Sequence, residues 1–320
     1  MKMSTLSLRN DHLLVEIDPG RGADVLRLQH VPTGVNVLFS TPWRERADDI
    51  RTGLHKATSS ESMVSWLEQY RGGWQTLCPN AGDPRVISGS PVGYHGEASI
   101  TEWTVETASS TMIRLANTLF SVPVRIQREI TIVGTSLTTL DTLTNLSDVE
   151  LEFDYVHHPV FGGEFLEGPC RIDAGARQFI SDWETSDAIT APGSEHDWPV
   201  ATDQNGVKFD LREIPARPVP RTVFGWLTDF ETHWASITNV NLGLCVRLEW
   251  EGEHLPHAWL WQELNNSTEW PWFRQARVVA IEPASTETSG PGRRSVLTLD
   301  RRASIQIPLT ITVEQRIATL

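Results

Sequence analysis

Glu150–Gly168 reads ELEFDYVHHPVFGGEFLEG, and this stretch decides what kind of fold the chain builds. Leu151, Phe153 and Tyr155 alternate with Glu152 and Asp154, the two-residue period of a strand with one buried and one wet face. The strand runs into His157 and His158, then Pro159, then Phe161-Gly162-Gly163. Histidines placed where a strand stops and a glycine turn begins can face a cleft while the sheet holds them still. An imidazole, with an ordinary pKa of about 6.5, gives or takes a proton near neutrality. The plainer alternative makes one histidine a core filler and leaves the other in solvent.

The same period recurs on both sides of this stretch. His12–Asp18 and Asp24–His30 read as strands flanking a turn at Pro19–Gly22, and Asn36–Phe39 as a third short one. Met112–Tyr155 is strand throughout, with a hairpin turn at Val133-Gly134-Thr135. His233–Asn239, Leu244–Trp250, His257–Gln262, Ala276–Ile281 and the clean alternation from Ile305 to Val313 continue the pattern. Such runs joined by short turns build antiparallel sheets rather than βαβ units. One helix is expected, at Ser59–Tyr70, where Met63, Trp66, Leu67 and Tyr70 recur at helical spacing. Asp48–Thr58 has no period and reads as loop. Gly175–Glu231, rich in proline and charge, reads as long irregular connections that form a lid or an edge of a cleft. With no internal repeat and no shift in composition, the expectation is an all-β chain, residues 1–320 forming a single domain.

Composition narrows the function. The 320 residues suffice for a sizeable core, and 21% charged with 39% hydrophobic residues is ordinary for a globular protein. No apolar run approaches about 18 residues, and the N-terminus lacks the apolar segment of a secretory signal, so no membrane partner and a cytoplasmic location are expected. Cys78, Cys170 and Cys245 have no metal-type spacing and read as reduced, buried thiols. A net charge of −14 argues against nucleic acid. Thirteen tryptophans are unusual; most serve packing, and the flat faces of the rest suit sugar rings.

Three titratable groups occupy comparable places. His95, in Tyr94-His95-Gly96, precedes a strand near Ile100–Glu106; His158 ends one; Glu282 follows the apolar run Val278-Val279-Ala280-Ile281. A carboxylate after four apolar residues is partly desolvated, which raises its pKa and makes it a better base. Its alternative is a strand terminus facing solvent. No serine-nucleophile elbow, zinc-protease motif, calcium loop or phosphate loop occurs, so metal catalysis has no warrant in the sequence.

These residues carry a resemblance to the aldose 1-epimerase (galactose mutarotase-like) family, from about residue 8 to residue 313. Arg71-Gly72-Gly73, His95-Gly96 and Thr101-Glu102-Trp103 match that family's early motifs in order and spacing. His158-Pro159-Val160-Phe161 matches its second histidine motif, and Glu282-Pro283 its late carboxylate. The chain departs from the family where Glu97-Ala98-Ser99 follows His95-Gly96 in place of an arginine. The resemblance implies a large twisted antiparallel β-sandwich with a few short helices and a sugar cleft on its concave face. It also implies cofactor-free exchange of α and β anomers, with Glu282 as base, His158 as acid and His95 donating to the ring oxygen or a neighbouring hydroxyl. Arg71, Trp74, Trp261 and Gln262 are then the expected sugar-binding residues, with Trp270 and Trp272 adding to an aromatic cleft. A small sugar is the expected partner, and a homodimer is compatible with the sequence. A non-catalytic carbohydrate-binding protein, or a lyase or glycoside hydrolase on the same sandwich, are the competing readings.

Overall fold

The computed structural model of the chain describes residues 5–185, 187–290 and 297–315. Strands dominate them, and seventeen join in one continuous antiparallel sheet that twists and folds over itself as a large β-sandwich. The alternating runs become strands where expected. Val124–Val133 and Ser136–Asn145 pair through the turn at Gly134 (φ 56°), and Ser136–Asn145 pairs in turn with Ser304–Gln315. Their side chains alternate buried and half-exposed, because one face packs on the core and the other meets solvent. That core is a single large cluster running from Leu8 to Val313.

The sheet turns its corner through the nineteen-residue strand Arg221–Asn239. Its first third pairs with His257–Leu264 and its last third with Leu244–Trp250, while Cys170–Ser181 runs along its other side. The break between the halves lies between Phe230 and Ala235, where the pairing shifts register between Ala174 and Ala176, just after Asp229 at φ 51°. Gly175–Glu231 is therefore more ordered than its composition suggests: it contains the ends of two long strands and several short ones.

Helices are few. Ser62–Glu68 is the expected one, shorter than its apolar pattern and capped by Glu61, whose carboxylate accepts from the Met63 and Val64 N–H groups. A second, Arg44–Arg51, covers part of what reads as a loop. Charged on most of its surface, it buries only Ala47 and so carries no apolar stripe. Among the described residues no helix is long and apolar enough to cross a membrane.

Two strands differ from their reading in a way that matters for the site. The alternation at Leu151–Phe153 belongs to a short separate strand, paired with Leu297–Leu299. The histidines lie in the next strand, Val156–Gly162, rather than at a strand end, and all seven of its residues are buried. Glu282 likewise sits within a strand, Arg277–Ala284, also buried throughout. His95 lies in the loop before a 3-10 turn at Glu97–Ser99, and the strand that follows is Thr104–Ala108.

Candidate functional site

The site is one rung of the sheet. Val156 pairs with Ala284 and Val160 with Ala280, so His158 stands directly opposite Glu282 on the neighbouring antiparallel strand. On its other side His158 pairs with Gln75, and Glu282 pairs with Trp259. Gln75, His158, Glu282 and Trp259 thus form a row across four strands, their side chains on one face within reach of one another. His158 Nε2 lies 3.6 Å from Glu282 Oε1, and its Nδ1 lies 3.3 Å from Gln75 Oε1. The imidazole–carboxyl gap is wider than a hydrogen bond.

Over this row opens a cavity of about 280 Å³. That is the small end of the roughly 300–1,000 Å³ of small-molecule sites. Helix Ser62–Glu68 and the residues after it supply Trp66 and Tyr70, stacked 4.8 Å apart. Trp66 is fixed by a hydrogen bond from its indole N–H to Ser99 and meets the His95 ring edge-on at 4.5 Å. His95, held at φ 59°, accepts at Nδ1 from the Gly82 N–H (2.9 Å), and its ring lies 5.5 Å from that of His158. The opposite wall comes from Trp259, Trp261 and Trp272, the last two 5.2 Å apart. Thr185, Asp187, Thr222 and Phe224 complete it, so the charged region after Gly175 forms an edge of the cleft. Glu263 there accepts from the Thr222 hydroxyl and from the backbone and side chain of Ser267, tying this edge together.

Burial sets the electrostatics. Glu282 is 2% exposed and its carboxyl is pushed well above the usual carboxylate range by desolvation. His158 is 7% exposed and pushed down to about 4, again by burial, opposed only by a hydrogen bond to its own backbone carbonyl. Burial thus favours a neutral imidazole beside a protonated carboxyl, the opposite of the roles expected from the sequence. Glu282 Oε2 and the Tyr70 hydroxyl are both buried without a hydrogen-bond partner. A buried polar atom left unpaired costs about 1–3 kcal/mol, so two beside one cavity point to a ligand that would satisfy them.

The structure brings His95, His158, Glu282, Trp261 and Trp272 to the cavity and places four other expected residues elsewhere, among them Trp270, which is exposed and does not line it. Arg71 is buried behind the sheet row with its guanidinium 2.7 Å from Asp18 and 3.6 Å from Asp24. It is occupied by carboxylates and does not line the cavity. Trp74 is packed in the main core. Gln262 faces the other side of its strand, accepting from Arg221 and donating to the Leu211 carbonyl. His157, adjacent to His158, also points the other way, and neither histidine is in solvent. It is fully buried 3.3 Å from Asp141, which pairs with Arg128 and accepts from the Tyr155 hydroxyl. Trp66, Tyr70 and Trp259 escaped the sequence reading as site residues. The signal for two of them was present, since Trp66 and Tyr70 share one helix face. Among the described residues one group has metal-type spacing, Glu251, Glu253 and His254; none of the three lines the cavity.

The sequence profile of a family described as a domain of unknown function, DUF4432, matches residues 2–297. The chain belongs to that family. No curated protein matches it. Among solved structures, the Slr1438 protein of Synechocystis sp. PCC 6803 is similar with a TM-score of 0.72 at 18% identity, over 99% of this chain and 97% of that one. A galactose mutarotase-like protein of Clostridium acetobutylicum gives 0.68 at 15% identity, over 97% and 95%. One of Lactobacillus casei ATCC 334 gives 0.67 at 14%, over 97% and 100%. At such identities the likeness establishes the fold: this DUF4432 chain has the fold of the galactose mutarotase-like proteins.

Proposed function

We propose that the chain is an aldose 1-epimerase, an isomerase that exchanges the anomers of an uncharged, unphosphorylated sugar. The observation that carries this reading is the facing pair His158 and Glu282 at the floor of a cavity suited to a single ring. Opening a hemiacetal requires a proton to leave the C1 hydroxyl while another reaches the ring oxygen; closing on the other face reverses both. Two groups, one acid and one base, suffice, and each positioned group typically contributes about 10²–10⁴-fold. The Nδ1 of His95 accepts from the Gly82 N–H, which puts the ring's proton on Nε2. The tryptophan walls suit the apolar faces of a pyranose. Among the described residues no arginine or lysine lines the cavity, which supports a sugar without phosphate.

The test is polarimetry or exchange NMR on freshly dissolved aldoses, with Glu282→Gln and His158→Gln as controls. The reading expects equilibration faster than the uncatalysed rate, and a loss of at least about 10²-fold in either variant. Saturable binding of a sugar without any acceleration would replace it with a carbohydrate-binding protein on the same fold.

A further inference from the structure

The two nitrogens of His158 face different partners, and the surroundings fix which one carries the proton. Nδ1 is 3.3 Å from Gln75 Oε1. The other end of that amide decides its orientation: Gln75 Nε2 donates to the Gly72 carbonyl at 2.8 Å, an atom that can only accept. Turning the amide over would set its oxygen against the Gly72 oxygen. Gln75 Oε1 therefore faces the imidazole and needs a proton from it. With this acceptor at Nδ1, the neutral ring is the Nδ1–H tautomer, and its Nε2 lone pair points toward Glu282 Oε1. A lone pair facing a buried oxygen is accommodated when that carboxyl carries a proton. His95 is the converse case, accepting at Nδ1 and holding its proton on Nε2.

We infer that Gln75 is a positioning residue that sets the tautomer of His158 and with it the direction of proton flow, making His158 the base and protonated Glu282 the acid of the resting site. The assignment rests on the anomer-exchange reading for its reaction and reverses the roles that the family resemblance implies. In ring opening, the C1 hydroxyl proton passes to His158 Nε2 and the O–H electron pair becomes the carbonyl π bond. The bond between C1 and the ring oxygen breaks, and that oxygen takes the Glu282 proton. After rotation about the bond from C1 to C2, the Glu282 carboxylate recovers the proton as the ring oxygen attacks C1. The new C1 oxygen takes its proton back from His158. Nothing is consumed and the pair ends as it began.

The groups facing His158 agree with this resting state. Glu282 stands across the strand pair, His95 and Tyr70 flank the ring at 5.5 Å and 6.2 Å, and Asp24 lies behind Gln75. Among the described residues no lysine or arginine lines the cavity beside Glu282. Burial acts in the same sense on both partners, raising Glu282 and lowering His158.

Histidine-selective ¹⁵N NMR of the ligand-free protein tests the tautomer directly, with the His158 resonances identified by their loss in His158→Gln. The expected spectrum at pH 7 shows Nδ1 protonated and Nε2 bare; an Nε2–H tautomer or an imidazolium there would overturn the inference. Gln75→Met removes the acceptor at similar length. It should mix the tautomers and lower kcat at least about tenfold with KM little changed. Gln75→Glu should restore the tautomer and, by placing charge beside the ring, move the acid limb of kcat to higher pH. Wild-type turnover and an unchanged tautomer in Gln75→Met would remove Gln75 from the role. If Gln75→Met does not fold, the wild-type spectrum and Gln75→Glu decide. The spectrum needs no substrate, so a failure of anomer exchange and a failure of this tautomer are separate outcomes.

Discussion

At the scale of single residues, the site holds its titratable groups against their solution preferences, and stability should record the cost. An unfolded His158 charges near pH 6.5, whereas the folded one stays neutral down to about 4. Between those values the unfolded chain binds the extra proton, so the fold loses stability as pH falls through that window. His157, held down to about 3, adds to the same slope. Glu282 has the opposite sign: unfolded it ionises near pH 4.5 while folded it keeps its proton, so its share of stability is lost as pH rises above that value. Urea midpoints measured from pH 4 to 8 should therefore show a shallower acid limb for His158→Gln. They should also show Glu282→Gln more stable than wild type at pH 8. A Glu282→Gln protein destabilised at pH 8 would mean that the carboxyl is ionised and paired in the fold. The sequence showed that this glutamate follows an apolar run, which was enough to find it. What it could not show is that the next two residues, Pro283 and Ala284, are buried too, which is why the shift is large and favours the acid form.

At the scale of elements, legibility followed solvent. Strands with one wet face, such as Val124–Val133 and Ser304–Gln315, write their period into the sequence and were read correctly. Val156–Gly162 and Arg277–Ala284 are covered on both faces, by the core below and by the aromatic layer above, so no alternation survives to mark their limits. The glycine-rich link before Trp74 was legible as a place of close backbone approach, but what it approaches is the sheet itself. Gly73 has φ 89°, and a Cβ there would stand 2.4 Å from the Val25 carbonyl oxygen. Gly72 is equally tight, 2.3 Å from the Phe39 carbonyl oxygen. These two residues start the Trp74–Leu77 strand at the height that sets Gln75 against His158. Gly73→Ala should accordingly lower stability by at least about 2 kcal/mol in denaturant titration. It should also slow anomer exchange through displacement of Gln75, although no side chain of residue 73 reaches the cavity. An alanine variant as stable as wild type would show that the strand start can shift without cost.

At the scale of the whole molecule, the sequence places Gln75, His158 and Glu282 far apart, and only sheet register unites them. Motif matching found the last two one at a time; the row they form belongs to the fold. The same register leaves His157 on the opposite face with Arg128, Asp141 and Tyr155, all fully buried. Removing Asp141 strands the Arg128 charge, so Asp141→Ala should cost about 3–5 kcal/mol by denaturant unfolding, with the remaining folded protein keeping its site.

Charge acts over the same scale. The chain carries −14 overall, and among the described residues its cavity is lined by Asp83, Asp187 and Glu263 beside the protonated Glu282, with no lysine or arginine. A dianionic sugar phosphate approaching this cavity meets repulsion at long range and, once inside, exchanges its water for carboxyl groups that cannot pair with it. A free aldose meets neither penalty. If the protein exchanges anomers, kcat/KM for a 6-phosphate should fall at least about tenfold below that of the parent sugar, equivalent to roughly 1.4 kcal/mol. The gap should narrow as salt shortens the Debye length from about 10 Å at 0.1 M, because the long-range part is screened while the contact part is not. Equal turnover of the two sugars, or a gap indifferent to salt, would place the substrate's sixth carbon outside the field of these carboxyls.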